Sequence, residues 1–132
     1  MIQKSDLIRL QHMLDASLKA MDFIEGKKES DLDDDDLLVF ALVKAIEIVG
    51  EAAGKVSKEY QANHPEIHWS AMISMRNRLV HAYFDINKKI LWQTLKRDLP
   101  ELIIVLELLL QGGDKVKYDE DLTSPTTEEW NY

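Results

Sequence analysis

Arg76, Asn77, Arg78, His81 and Tyr83 fall within RNRLVHAY, eight residues that set two guanidinium groups, an amide, an imidazole and a phenol around Leu79 and Val80. A guanidinium holds a phosphate through two parallel hydrogen bonds and stabilises charge gathering on a phosphorane. An imidazole exchanges protons near neutral pH. Together they suit cleavage of RNA without a metal ion, in which the ribose 2′-hydroxyl attacks its neighbouring phosphate. That reaction needs a base for the hydroxyl and an acid for the leaving oxygen. A single His81 cannot easily serve as both at once, so the chemistry calls for a symmetric homodimer that places two copies of the stretch in one cleft.

The elements carrying these groups set a condition. On a regular helix, at roughly 100° per residue, Arg76 and Tyr83 lie about 20° apart, whereas His81 is about 140° round from Arg76. For Arg76 and His81 to share a site, the helix must end near His81, the arginine must reach round, or a second subunit must close the gap. A purely structural use of the same residues is equally written in the pattern. His81 could bond a backbone carbonyl, Arg76 could pair with Glu47 or Glu51, and Tyr83 could plug the core. Spacing alone leaves both readings open.

Apolar periodicity predicts four helical segments. The first spans about Ser5 to Glu25, with Leu7, Leu10, Leu14, Leu18 and Met21 on its face and Gly26 closing it. Beyond the charged link GKKESDLDDDD, whose aspartates can cap the next helix, the second spans roughly Asp35 to Tyr60. Its face holds Leu38, Ala41, Leu42, Ala45, Ile48, Val49, Ala52 and Val56, with Gly50 and Gly54 four apart as marks of close packing. Pro65 forces a break before a short third segment, Trp69 to Tyr83. The fourth starts near Asn87, should kink or restart at Pro100, and ends before Gly112-Gly113. No strands are expected. The predicted fold is all-α, an antiparallel bundle of four or five helices over residues 1–111. Residues 112–132, acidic and without helical period, are expected to form a flexible or partner-ordered tail.

The chain has 132 residues, 45% of them hydrophobic, enough for one compact domain with a core. It carries 24 acidic against 16 basic side chains, a formal charge of −8. That balance opposes non-specific nucleic-acid binding, so any RNA contact must be local, through Arg76, Arg78, Lys88 and Lys89. The absence of cysteine excludes disulfides and thiolate metal sites and fits a reducing cytoplasm. No leader is evident in MIQKSDLIRL, and Leu102–Leu110 is too short to span a bilayer. No membrane partner is expected.

MRNRLVHAYFDI, Met75 to Ile86, resembles the R-N-x-x-x-H-x-Y pattern of the HEPN superfamily, specifically its HepT-like toxins. Three further stretches are similar to that family in the expected order: KAIEIVGEAAGKVS (Lys44–Ser57), PEIHW (Pro65–Trp69) and LWQTLKRDLPEL (Leu91–Leu102). The resemblance implies a homodimeric, all-helical ribonuclease toxin acting on RNA, tRNA foremost, with no cofactor. It puts Arg76 and His81 at the catalytic positions and Asn77 at the polar position after the arginine. Tyr83 falls on the tyrosine that an MntA-type nucleotidyltransferase antitoxin modifies with AMP to silence the toxin. Added bulk and negative charge there would repel RNA and occupy Arg76.

Glu51 could orient His81 or Arg76 from the second segment, or simply pair with Lys55; Arg78 is a supporting cation. Two other readings stand beside the enzyme. HPEIH sets His64 and His68 four apart around Glu66, but Pro65 and the lack of a third ligand argue against a metal site. A HEPN-like dimer that binds a nucleotide or a partner without cleaving is the alternative function. The acidic tail could also compete for the basic strip.

Overall fold

A computed structural model of the chain describes residues 2–82 and 85–111. The tail at 112–132 and Tyr83 lie outside the described residues. The described part is all-α apart from one small hairpin. Its elements are α1 (Lys4–Ile24), α2 (Asp31–Asp34), α3 (Asp36–Lys55), α4 (Lys58–Asn63), α5 (Trp69–Leu79), β1 (Val80–Ala82), β2 (Asp85–Ile86) and α6 (Lys88–Gln93); a π-helical turn (Thr94–Asp98) and α7 (Leu99–Gln111) complete them. No helix among the described residues is long and apolar enough to cross a membrane.

Local chemistry explains most boundaries. Gly26, at φ +76°, turns the chain out of α1 in the left-handed region that a side chain would resist. Asp35 caps α3 by accepting from the Leu38 N–H at 3.0 Å. Asn87 caps α6 by accepting from Ile90 N–H at 3.0 Å. Ser57 caps α4 through Tyr60 N–H at 3.2 Å, so the expected second segment is two helices with a corner at Val56.

α1 packs between α3 and α7, and α3 in turn carries α5. Each packed pair is antiparallel. The buried Asp6, near the start of α1, accepts from Ser57 N–H (2.8 Å) and Ser57 Oγ (2.7 Å), just past the end of α3. Both carboxylate oxygens of Asp6 are thereby satisfied, which its burial requires. Ile2, Gln3 and Asp6 share a cleft with Leu108 and Leu109, so the end of α7 also meets the start of α1. The core between these helices includes Leu10, Met13, Leu42, Ile46, Met75, Leu79, Leu95, Leu99 and Leu106, all fully buried. Leu18, expected on the core face, is 39% exposed; Met13, Ser17 and Ala20 fill the positions between the neighbours of α1 instead.

Two further expectations need correction, the reach of the third segment and the absence of strands. The third segment does not continue to Tyr83: α5 ends at Leu79, and Val80 turns extended (φ −110°, ψ 110°). β1 then pairs antiparallel with β2, Val80 opposite Ile86 and Ala82 opposite Asp85, with an irregularity between. The Asn87 N–H closes the ladder onto Leu79 C=O at 2.7 Å. β-Branched Val80 suits this extended state. Pro100 is the second residue of α7, which restarts at Leu99 after the π turn, as expected of a proline there. The π turn ahead of it widens the backbone where the proline lacks a donor and its ring crowds the previous turn.

A Cβ on Gly50 would stand 3.0 Å from Met72 C=O oxygen and 3.3 Å from that of Ile73, whereas one on Gly54 meets only Ile73 Cγ1 at 3.9 Å. Gly50→Ala should therefore cost about 1–3 kcal/mol through separation of α3 from α5. Gly54→Ala should be neutral or stabilise by about 0.5–1 kcal/mol, the helix-propensity gain. Urea denaturation of the two variants side by side checks both signs.

Candidate active site

α5 lies so close to α3 at Gly50 that side chains of the two helices meet over a shared depression of about 430 Å³. Glu47, Glu51, Arg76 and Asn77 line it together with Gly50, Gly54 and Ile73. Arg76 Nε donates to Glu47 Oε2 at 3.1 Å, and its Nη1 reaches Asn77 Oδ1 at a long 3.4 Å. Lys44 Nζ stands 3.9 Å from the other oxygen of Glu47. Glu47 thus sits between two cations. The Arg76 side chain is 46% exposed, so this pair is screened and worth at most about 1 kcal/mol. A bidentate phosphate is a better partner for the same guanidinium.

His81 stands on β1, exposed, beyond the end of α5. The 140° separation expected along a continuous helix does not apply, because the helix stops two residues earlier. Arg76, Asn77 and Glu51 are brought together; His81 is not among the residues lining their depression. Arg78 points to the opposite side of α5 and lines a separate cleft with Arg97. Lys88 lies beside Asp36, Phe40 and Ile86 at the foot of the hairpin.

The HPEIH stretch is built as a corner. His64 Nδ1 donates to Glu66 Oε2 at 3.0 Å, and its ring stacks on Tyr60 at 4.2 Å between centroids. Trp69 Nε1 donates to the carbonyl of His64 at 2.9 Å and meets Tyr60 edge-on. Among the described residues no three His, Asp or Glu side chains are grouped to hold a metal ion. Burial pushes the Tyr60 phenol up to about 12, helped by the negative charges of Glu66 and Asp6, so it stays neutral.

Glu47 was legible only as a possible structural partner of Arg76. Its place four residues before Glu51, on the same face of α3, was the signal that both acids face α5. Arg97 gave no such sign, because its position depends on the π turn.

A sequence model described as Ribonuclease HepT-like matches residues 13–109, a span that contains the whole depression and the hairpin. A candidate RNase of Caldanaerobacter subterraneus subsp. tengcongensis is 32% identical over 102 residues, 77% of this chain and 91% of the relative. A protein of Thermococcus cleftensis named as a probable ribonuclease HepT is 44% identical over 63 residues, 48% of this chain and 57% of the relative. A candidate RNase of Methanocaldococcus jannaschii is 31% identical over 93 residues, 68% and 85% of the two chains. No solved structure is a significant match.

The geometry sets two outcomes. Glu47→Gln should change unfolding free energy by no more than about 1 kcal/mol, since the pair with Arg76 is half-exposed; a loss well above that in urea titration would make the pair a structural pillar. The hydrogen bond from His64, then one from its own backbone, holds the Glu66 carboxyl below the usual glutamate range. A depressed acid stabilises the fold above its unfolded pKa, and that contribution fades as pH falls through the folded value. Carboxyl NMR titration should show a low Glu66 midpoint that rises in His64→Ala.

Proposed function

The chain belongs to the HepT-like ribonucleases of the HEPN superfamily, and from that premise we propose that it is a toxin ribonuclease that cuts tRNA without a metal ion at a site shared by two copies. The observation that carries this reading is the end of α5 at Leu79. It leaves Arg76 half-exposed on the helix and sets His81 on an exposed strand immediately beyond it. In the proposed reaction one His81 takes the proton of the ribose 2′-hydroxyl, which attacks the adjacent phosphorus. The phosphorus–5′-oxygen bond breaks, and the second subunit's imidazolium protonates the departing oxygen. The direct product is a 2′,3′-cyclic phosphate. Arg76 holds the phosphate oxygens as charge builds on them, with Asn77 donating beside it.

The pairing of two subunits is supported by the outer strip of α3. Leu37 is 80% exposed and Phe40 46%, and further along, where α5 meets Gly50 and Gly54, Ile73 is 40% exposed. Lys44, Glu47 and Glu51 recur along the same helix face. A face of this kind, apolar and edged by charges of both signs, suits a self-complementary twofold contact beside the depression. Glu51 sits where it can orient Arg76 or, across the contact, an imidazole. Arg78, Lys88 and Lys89 extend the positive surface that an otherwise acidic protein needs for RNA.

Control is proposed to come from an MntA-type nucleotidyltransferase antitoxin that transfers AMP to the Tyr83 oxygen. The added phosphate would claim Arg76 as its partner and exclude RNA by charge and bulk.

Incubation of the partner-free protein with total tRNA and EDTA tests the proposal. Wild type should cleave, and His81→Ala or Arg76→Ala should lose on the order of 10²–10⁴ in rate, the contribution of a positioned acid–base or charge-stabilising group. Cleavage should also fall steeply with salt, since single-stranded phosphate contacts carry a log–log slope near −0.7 for each. Light scattering should give twice the chain mass. A folded, unmodified dimer that leaves tRNA intact would point instead to the nucleotide- or partner-binding module.

A further inference from the structure

The cleft on the far side of α5 from Arg76 has no assigned use. It measures about 220 Å³ and lies between the N-terminal half of α5 and the junction of the π turn with α7. Its walls are apolar, from Ile67, Ala71, Met72, Leu102 and Val105, and its rim carries two arginines, Arg78 and Arg97, with His68 and the acids Glu66, Asp98 and Glu101.

Three observations make this a built feature rather than a packing gap. The first is the π turn. Five residues there depart from the α-helix while Thr94 and Leu95 remain buried, so the widening is expressed outward, where Arg97 and Asp98 reach the cleft. Such turns recur at functional sites, because they re-aim side chains without dismantling a helix. The second is charge. Arg78 makes no ion pair among the described residues, and Arg97 has only a long 3.4 Å contact with its own neighbour Asp98 while 74% of its side chain is exposed. Each guanidinium can turn a fork of N–H donors to a phosphate, Arg97 by giving up its weak contact with Asp98, while Glu66 stays engaged by His64. The third is position. Arg76 and Arg78 are two residues apart and so lie about 160° apart around α5. A strand held by Arg76 and passing the exposed end of α5 at His81 comes next to Arg78, across a helix about 10 Å wide.

We propose that this cleft is a nucleotide subsite that takes an unpaired base of the RNA next to the cut, with its phosphate on Arg78 and Arg97. The base lies against Val105 and Ala71 and offers an exocyclic amino group to the Glu101 carboxylate. Single-stranded RNA is read in this way, by bases turned out onto apolar or planar surfaces and hydrogen-bonded along their edges. A base that presents an amino group, in adenine, guanine or cytosine, should be preferred to uracil, which offers Glu101 one ring N–H flanked by two carbonyl oxygens that a carboxylate repels. The proposal rests on the ribonuclease reading and adds to it a determinant of where the RNA is cut.

The test separates the two. Binding is measured on the intact His81→Ala protein with 5′-AMP, GMP, CMP and UMP by NMR, following the side chains of Val105, Met72 and Arg97. Cleavage is measured on the wild-type background with tRNA. Two variants probe the cleft: Val105→Trp fills it, and Arg97→Glu reverses a rim charge at an exposed position that folding does not depend on. Near-UV circular dichroism confirms that each variant is folded. The expected result is selective shifts at the cleft, weakest for UMP, that each variant weakens roughly tenfold, the loss of about one charge-assisted contact. In cleavage, KM should rise by about the same factor with kcat nearly unchanged, and the sequence preference beside the cut should relax. Mononucleotide shifts that bypass the cleft, or tRNA cleavage with unaltered KM and unaltered preference in both variants, would overturn the subsite and leave the ribonuclease standing. Nucleotide binding at the cleft in a protein whose wild type cuts no RNA would overturn the ribonuclease reading and keep a nucleotide site.

Discussion

The approach of α3 to α5 at Gly50 is the constraint on which the rest depends. Backbone meets backbone there, with carbonyl oxygens of Met72 and Ile73 about where a side chain would begin. At that separation a carboxylate on α3 reaches a guanidinium on α5, and the depression holding Glu47, Glu51, Arg76 and Asn77 exists because the helices are this close. Neither helix supplies the arrangement alone. α5 is only eleven residues long, too short to be stable by itself, and takes its stability from the face it lays on α3.

The electrostatic logic is one of exchange. An acidic chain, with 24 acidic against 16 basic side chains, cannot hold RNA by its overall field. Glu47 keeps Arg76 oriented while nothing is bound and is weak enough, half-exposed as it is, to be displaced by an anion with two acceptor oxygens. The guanidinium then arrives already placed, and less entropy is lost on binding than if it had swung freely in water. The same acid next to Lys44 restrains a second cation on the outer strip of α3.

Much of this was legible in the residues. The caps Asp35 and Asn87, the turn at Gly26 and the close packing at Gly50 each come from one residue type at one position, and the structure has them. The family resemblance drew on the same stretches that the sequence model matches. What was missed depended on partners distant in sequence. The clamp of Asp6 on Ser57 joins residues 51 apart, and no local pattern marks it. Leu18 looked like core because the helical period was read as one face, whereas α1 is enclosed by two neighbours whose directions differ. The end of α5 was placed too late because VHAYF keeps a helix-like spacing; the pairing of Val80 with Ile86, made only when the chain returns, decides it.

The π turn carries a consequence for how this chain can change length. The buried leucines run Leu91, Leu95, Leu99, Leu102, Leu106 and Leu110. Five steps along that face take 19 residues, where five α-helical turns take about 18. The extra residue is absorbed at Thr94–Asp98, so α7 keeps its phase against α1. A chain one residue shorter at this point would form a plain helix with the same leucines inward. The same loss a turn later would rotate the remainder by about 100° and bring Glu107 toward the core. The turn is therefore a hinge point in sequence space: a place where a single codon can come or go, reshaping the surface around Arg97 while the interior keeps its register.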